Sequence, residues 1–336
     1  MHMPKSLQQG RASAKSMLRT ILMGLAATAA ATTALPVQAN YPEKPVRAIV
    51  PFVAGSSNDI LARMISPLMT KAMGQQVIIM NMPGADGRIG IEALAKSAPD
   101  GYSILYSGGA IALIPALRKH VPFDPDRDVQ PVAELGAGPY VVAINPRLPV
   151  KNLLELAEHA RRNPGKLNGS AGGNSTFMAL VLFQIVTNSK VEVISYKGTG
   201  PAATAVVAGE VDFASMDGSA FVSFIPGGKV KPLAVAGTRR LASLPDVPTT
   251  REAGLPEFVA GTAFGVYTKG GTPMPIVQRL NAEINKAIAT PDVTRHLVSI
   301  GLDPSSTSVE EYTQQYRRDL ARWKDVVTRA KLPLQD

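Results

Sequence analysis

"AIVPFVAGSSNDILARM", Ala48 to Met64, runs from a strand-like apolar segment through a loop of small and polar residues straight into a helical pattern. Arg47–Phe52 reads as a strand. Ile60, Leu61, Met64, Ile65, Leu68 and Met73 then recur at helical spacing, which predicts a helix over Asn58–Met73 with Gly74 at its C-cap. Ser57 or Asn58 is placed to cap the helix, and Asp59 in the first turn complements its dipole. A strand that ends on Gly and Ser before a helix start exposes unpaired N–H groups, to which an anion can come close. In open α/β sheets ligands bind at such places, beyond the carboxyl ends of strands.

The same unit recurs along the chain. "QVIIMN" (Gln76–Asn81) reads as a strand, Ile89–Ser97 as a helix and Tyr102–Tyr106 as a strand. In a second series, "PYVVAIN" (Pro139–Asn145), "KLNGS" (Lys166–Ser170), Glu192–Ser195, Val211–Met216 and Lys231–Ala236 read as strands. Lys151–Arg162, Phe177–Val186 and Ala202–Ala208 are the helices between them. The end is helical: prolines open "TPMPIVQRLNAEINKAIA", and Ser308 with Glu311 forms a capping box for a helix to about Arg329. Its stripe of Val309, Tyr312, Tyr316, Leu320, Trp323 and Val327 reads as core packing. Alternating strands and helices predict an α/β fold, and two separate series predict two mainly parallel sheets. The Pro- and Gly-rich joints at Asn145-Pro146 and Lys269–Pro273 read as crossovers, which would return the C-terminal helices to the first lobe.

Composition bounds the function. The chain of 336 residues is 45% hydrophobic and 18% charged, enough for a sizeable core. Aromatics are 5%, and neither a stacking platform nor a basic stripe for nucleic acid is present. Of the net charge of +9, Lys5, Arg11, Lys15 and Arg19 contribute four, leaving +5 on the rest. Those residues, the Ala-rich run Ile21–Leu35 and "VQA" before Asn40 read as a secretory signal over residues 1–39. The apolar run is shorter than the ~20 residues a membrane span needs. With no cysteine, the chain has no thiolate nucleophile, no Cys-ligated zinc and no lipoprotein anchor.

Further Gly/Ser loops follow other strands: "SGGA" (Ser107–Ala110), "AGGNST" (Ala171–Thr176), "YKGTGP" (Tyr196–Pro201) and "DGSA" (Asp217–Ala220). Split between two lobes, they suggest a cleft lined by backbone donors and hydroxyls, which suits carboxylates. Signs of catalysis are weak. His120, His159 and His296 stand far apart, no G-x-S-x-G elbow occurs, and "KGTGPAA" lacks the remaining glycine of a dinucleotide loop. Asp212 and Asp217 read as a strand end and a turn cap.

In order along the chain stand "YPEKP", "PFVAGSSND", "NMPGADGRIG", "PDGYSIL", "NPRLPVKNLLEL", "PGKLN", "YKGTGPA", "GEVDF", "LPDVPTTREAGLP" and "GTPMPIVQRLNAEI". Over about residues 41–333 this ordered set resembles the Bug, or TctC-like, extracytoplasmic receptors of bacterial tripartite tricarboxylate transporters. The resemblance implies a two-lobed, periplasmic-binding-protein-like (type II) α/β fold that closes on a carboxylate. It implies membrane transporter subunits as partners, a monomer, no cofactor and no metal. The expected lobes are residues 40–143 with 268–336, and 144–267. First-lobe contacts would be Val53, Ala54, Gly55, Ser56, Ser57, Asn58 and Asp59, with Ser107, Gly108, Gly109 and Ala110. Second-lobe contacts would be Gly173, Asn174, Ser175 and Thr176, then Lys197, Gly198, Thr199 and Gly200, and then Asp217, Gly218, Ser219 and Ala220. Phe264 is expected to join them.

Three departures from the family pattern bear on the ligand. The first loop, Ala54 to Asp59, carries extra hydroxyls and an amide. Thr262-Ala263-Phe264-Gly265 has alanine where the family often has tryptophan, which would enlarge the cleft. Arg88 replaces an asparagine and, if it faces the cleft, could hold a second carboxylate. Together they suggest a larger or aromatic acid. The alternatives are a ligand sensor feeding a kinase and an exported enzyme on the same scaffold.

Overall fold

In a computed structural model, which describes residues 41–221, 223–237 and 239–334, the opening stretch forms β1 (Val46–Val50) and α1 (Ser57–Met73). The expected signal segment lies outside the described residues. The chain divides into two units, Met1–Tyr41 and Pro42–Asp336, and the architecture below is that of the second. The N-cap of α1 is Ser56, not Ser57 or Asn58: its hydroxyl accepts from Asp59 N–H at 3.3 Å. The Asp59 carboxylate in turn accepts from Gly55 N–H at 2.9 Å, which tightens the loop and starts the helix one residue early. Helix α1 buries Leu61, Ala62, Ile65 and Met69, while Ile60 stays exposed.

β2 (Val77–Asn81) and β3 (Ser103–Ser107) flank β1 in parallel. Between them lie a 3₁₀ turn, Ala85–Gly87, and α2 (Arg88–Ala95). After β3 comes α3 (Ala110–Leu117), an entirely apolar helix whose Pro115 does not break it. Next is β4 (Val129–Ile144), sixteen residues long and shared by two groups of strands.

The second series builds α4 (Leu153–Arg162), β5 (Asn168–Ala171), α5 (Asn174–Thr187), β6 (Glu192–Ser195), α6 (Thr199–Ala208), β7 (Phe213–Asp217) and β8 (Lys231–Val235). β5 is parallel to both β6 and β7, whereas the second half of β4 runs antiparallel to β7 and β8. β9 (Gly261–Lys269) returns antiparallel to the first half of β4 and to β3. α7 (Met274–Ile288), α8 (Pro291–Ser299), β10 (Asp303–Pro304) and α9 (Val309–Arg329) complete the chain. β10 pairs with β4, and α9 packs on α3 and β4.

The strand order is β2-β1-β3-β9-β4-β7-β5-β6. β4 is therefore the spine: up to Pro139 it pairs with β9, and from Tyr140 onward with β7 and β8. The crossing is tight, since a Cβ on Gly261 would stand 2.5 Å from the Gly138 carbonyl oxygen. Tyr267 of β9 receives the hydroxyl of Tyr312 at 2.6 Å and meets Tyr316 ring to edge, which holds α9 against the spine.

Candidate functional site

Where the β1-β2-β3 group faces the β5-β6-β7 group lies a cavity of about 320 Å³. Phe52, Ala110, Leu113 and Ile114 give it an apolar wall from the first group, and Asp86 stands at the rim. From the second group come Gly172 to Thr176 at the start of α5, Thr199 at the start of α6 and Asp217 at the end of β7. Tyr140 of β4 and Thr262 of β9 supply the floor.

Local sequence explains why these groups converge. The first-turn N–H groups of a helix have no intrahelical acceptor. α5 begins after Gly173 and α6 after Gly198, neither with a side-chain cap, so those N–H groups are left for a ligand or water. The two starts are held side by side because residue 172 is glycine: a Cβ there would sit 2.5 Å from the Gly198 carbonyl carbon and the Thr199 nitrogen. The Thr176 hydroxyl accepts from Gly172 N–H at 2.8 Å and donates to the Gly173 carbonyl at 3.0 Å. That pair of bonds fixes the approach to α5. Across the rim, Asn174 Nδ2 donates to Asp86 Oδ2 at 3.2 Å, joining the two groups, and the Arg118 guanidinium lies 4.0 Å from the same carboxylate.

The electrostatics are unusual for an anion site. The cavity-lining residues include two carboxylates, Asp86 and Asp217, and no Lys, Arg or His. Burial raises the Asp217 carboxyl to about 6, against one hydrogen bond from its own backbone N–H that lowers it. Burial, then the charge of Asp217, pushes the Tyr140 phenol up, so it stays protonated; the Ser175 hydroxyl acts in the opposite sense. A second cavity of about 700 Å³ adjoins the first at Ser175 and Thr262 and runs behind the β4–β9 crossing past Gly109, Ala263, Glu134 and Arg322.

Of the residues expected from sequence, Ala110, Gly173, Asn174, Ser175, Thr176, Thr199 and Asp217 line the smaller cavity. Gly109 lines the adjoining one. Ser107 and Gly108 are buried at the end of β3, with Phe264 beside Gly108. Val53 is 62% exposed, and Ala54, Gly55 and Ser57 are exposed with it; Ser56 is half-buried. Asn58 and Asp59 are buried, and Asp59 serves the loop itself. Its carboxylate takes bonds from Arg63, Gly55 and Asn81, and the Arg63 hydrogen bond is the main cause of its pKa falling to about 2. Arg88 begins α2, half-buried, outside the set lining either cavity. Lys197 and Gly200 are exposed, Gly198 precedes α6, and Gly218, Ser219 and Ala220 form a 3₁₀ turn after Asp217. Ala263 lines the adjoining cavity.

Sequence reasoning missed Phe52, Asp86, Leu113, Ile114, Tyr140, Gly172 and Thr262. Phe52 and Asp86 stood in motifs already quoted; only their direction was hidden. A groove of about 1080 Å³ lies elsewhere, between residues 115–128 and the C-terminal half of α9. No α5- or α6-type helix start opens into it, so it lacks the donors that distinguish the smaller cavity.

The family model for the tripartite tricarboxylate transporter family receptor, TctC, matches residues 61–332. The chain belongs to this receptor family. Protein BugT of Bordetella pertussis is 34% identical over 90% of this chain and 95% of its own length. Among solved structures, MatC from Rhodopseudomonas palustris with bound malate is 33% identical, covers 85% of this chain and all of its own, and superposes with a TM-score of 0.71. The R. palustris protein Rpa4515 with adipate is 28% identical, covers 87% of this chain and 98% of its own, and superposes with a TM-score of 0.74. The two-lobed binding-protein fold is shared with these relatives.

Proposed function

We propose that this TctC-family receptor is exported and captures a small carboxylate in the 320 Å³ cavity, for delivery to the membrane subunits of a tripartite transporter. The observation that carries the reading is the pair of uncapped helix starts, α5 and α6, facing an apolar wall with no basic side chain. Each helix N-terminus carries roughly half a positive charge, so two of them offset about one carboxylate. Phe52, Leu113 and Ile114 suit the carbon part of such a ligand. The volume lies at the lower end of the ~300–1,000 Å³ range of ligand pockets, a metabolite-sized space.

The mechanism is closure without chemistry. The helix-start donors belong to one lobe and the apolar wall to the other, so a ligand gains both only when the lobes are together. Asn174 and Asp86 then bridge the rim. Malate and adipate in the two R. palustris structures support a carboxylate ligand. The export part of the reading is supported by the basic, then Ala-rich, then small-residue order of residues 1–39.

The test is a thermal-shift screen of protein stripped of bound ligand against aliphatic, amino and aromatic carboxylic acids and their amides. At a hundredfold excess over Kd a ligand adds about 2.7 kcal/mol to stability, well within detection. One class of acids should shift the melt and its amides should not. Equal shifts with acids and amides would remove the carboxylate from the reading.

A further inference from the structure

One edge of the sheet is open and carries no guard. β2 ends the strand order, and among the described residues no strand pairs with its outer side. In its register with β1, Val46 N–H donates to the Gln76 carbonyl and Met82 N–H to the Val50 carbonyl, both at 2.8 Å, which turns the backbone groups of Ile78 and Met80 inward. The N–H and C=O groups of Val77, Ile79 and Asn81 therefore point outward, and of these Thr70 Oγ1 takes the Val77 N–H at 3.0 Å. On the face where Gly90 of α2 lies against Ile49, Ile78 is 47% and Met80 40% exposed. Residues 72–85 carry no charge. Open edges are usually blunted by charge or proline, and two others here are: β6 carries Glu192 beside Lys190, and β8 carries Lys231 and Pro232.

We propose that a second copy of this chain pairs with the β2 edge, antiparallel and two-fold symmetric about Ile79, in place of the monomer that the family resemblance implies. In that register the strand is its own complement. The two Ile79 residues exchange both N–H···O=C bonds, and each Asn81 N–H donates to the copy's Val77 carbonyl. Ile78 then lies opposite the copy's Met80, and Met80 opposite its Ile78, in non-hydrogen-bonded pairs whose Cα atoms stand about 4.5 Å apart. Four exposed apolar side chains so form one cluster, and no like charges of the strands meet across the edge. A two-fold pair uses the same edge on both copies, so the assembly stops at two. No residue of β2 lines a cavity described above, so the inference stands independently of the carboxylate reading.

The test is sedimentation velocity of the purified protein from low micromolar to near-millimolar concentration. A reversible monomer–dimer equilibrium should appear. Ile79→Pro removes an outward N–H on each copy and leaves the ladder to β1 intact. It should weaken the dimer about tenfold or more, the usual worth of two hydrogen bonds. Ile78→Lys, a change at an exposed position, should also weaken it. Adding Met80→Lys sets like charges opposite each other and should weaken it further. Ile78→Lys combined instead with Met80→Glu sets opposite charges across the two-fold and should restore most of the loss. Melting curves establish that every variant is folded.

A monomer at every concentration overturns the inference. So does a dimer that Ile79→Pro and Ile78→Lys leave intact, because another surface then forms it. Species larger than the dimer overturn the two-fold pairing, since an edge that closes on its own copy has none left to offer. If the Lys/Glu combination is no better than Ile78→Lys alone, the register about Ile79 is wrong. Each of these results leaves the carboxylate reading standing.

Discussion

Gly172 has no room for a side chain. A methyl group there would press on the Gly198–Thr199 peptide at 2.5 Å, and backbone cannot rotate away as a side chain can. Gly172→Ala should therefore push the starts of α5 and α6 apart. We expect a stability loss of about 1–3 kcal/mol, typical of overpacking, and ligand affinity lowered about tenfold or more. Denaturant unfolding and calorimetry on the same variant check both.

Asp217 makes a prediction of opposite sign. Its carboxyl is raised to about 6 in the folded protein, against an ordinary value near 4. A raised acid contributes stability below its unfolded pKa and loses that contribution as pH rises through the folded value. At pH 7 the empty protein carries the full penalty, on the order of 2 kcal/mol. Asp217→Asn should stabilise the unliganded protein at pH 7, and the gain should shrink toward zero near pH 4. Urea titrations at the two pH values measure it. A gain of equal size at both would mean that the charge is not its source.

At the scale of elements, α9 shows how far a local motif reaches. The Ser308–Glu311 capping box is present as the spacing predicts: the Ser308 hydroxyl accepts from Glu311 N–H at 3.2 Å, and Glu311 Oε2 accepts from Ser308 N–H at 2.8 Å. Ser308→Ala should cost about 1 kcal/mol and leave ligand affinity unchanged, because no residue of α9 lines the smaller cavity. Thermal melts with and without ligand separate the two effects.

Most helices and short strands were legible because their apolar spacing is local. Among those that were not, three matter most to the cavity. The first half of β4 reads "VQPVAELGAG", with proline, two glycines and a glutamate where a strand signal should be; it is a strand because β9 pairs with it on one side and β10 on the other. β9 carries two glycines of its own, and α3 is so uniformly apolar that no periodicity marks it as a helix. Those three elements form the spine and one wall of the cavity, so the parts least visible in sequence are the ones that place the site. The N-cap at Ser56 was missed for a related reason: the bond from Gly55 to Asp59 that pulls the helix start forward is tertiary detail within one loop.

At the scale of the whole molecule, the recurrent Gly/Ser loops are brought together only in part. Seven of the residues expected from them line the smaller cavity, chiefly at the starts of α5 and α6 and the end of β7. In the first loop, which opened the reading, the Asp59 carboxylate is taken up by Gly55, Arg63 and Asn81, and only Phe52 of that region lines the cavity. Composition cannot tell a loop that lines the cavity from one that does not. The rim bond between Asn174 and Asp86 is exposed, so its worth is small. Asn174→Ala should speed ligand release no more than about fivefold, measured by stopped-flow displacement.

The measurement that bears most directly on the site is a crystal structure of the protein with the acid that shifts its melting most. The carboxylate is expected at hydrogen-bond distance from the first-turn N–H groups of α5 or α6, with the carbon chain along Phe52, Leu113 and Ile114. A ligand seated instead in the groove between residues 115–128 and α9, or held by side-chain cations away from both helix starts, would contradict the account.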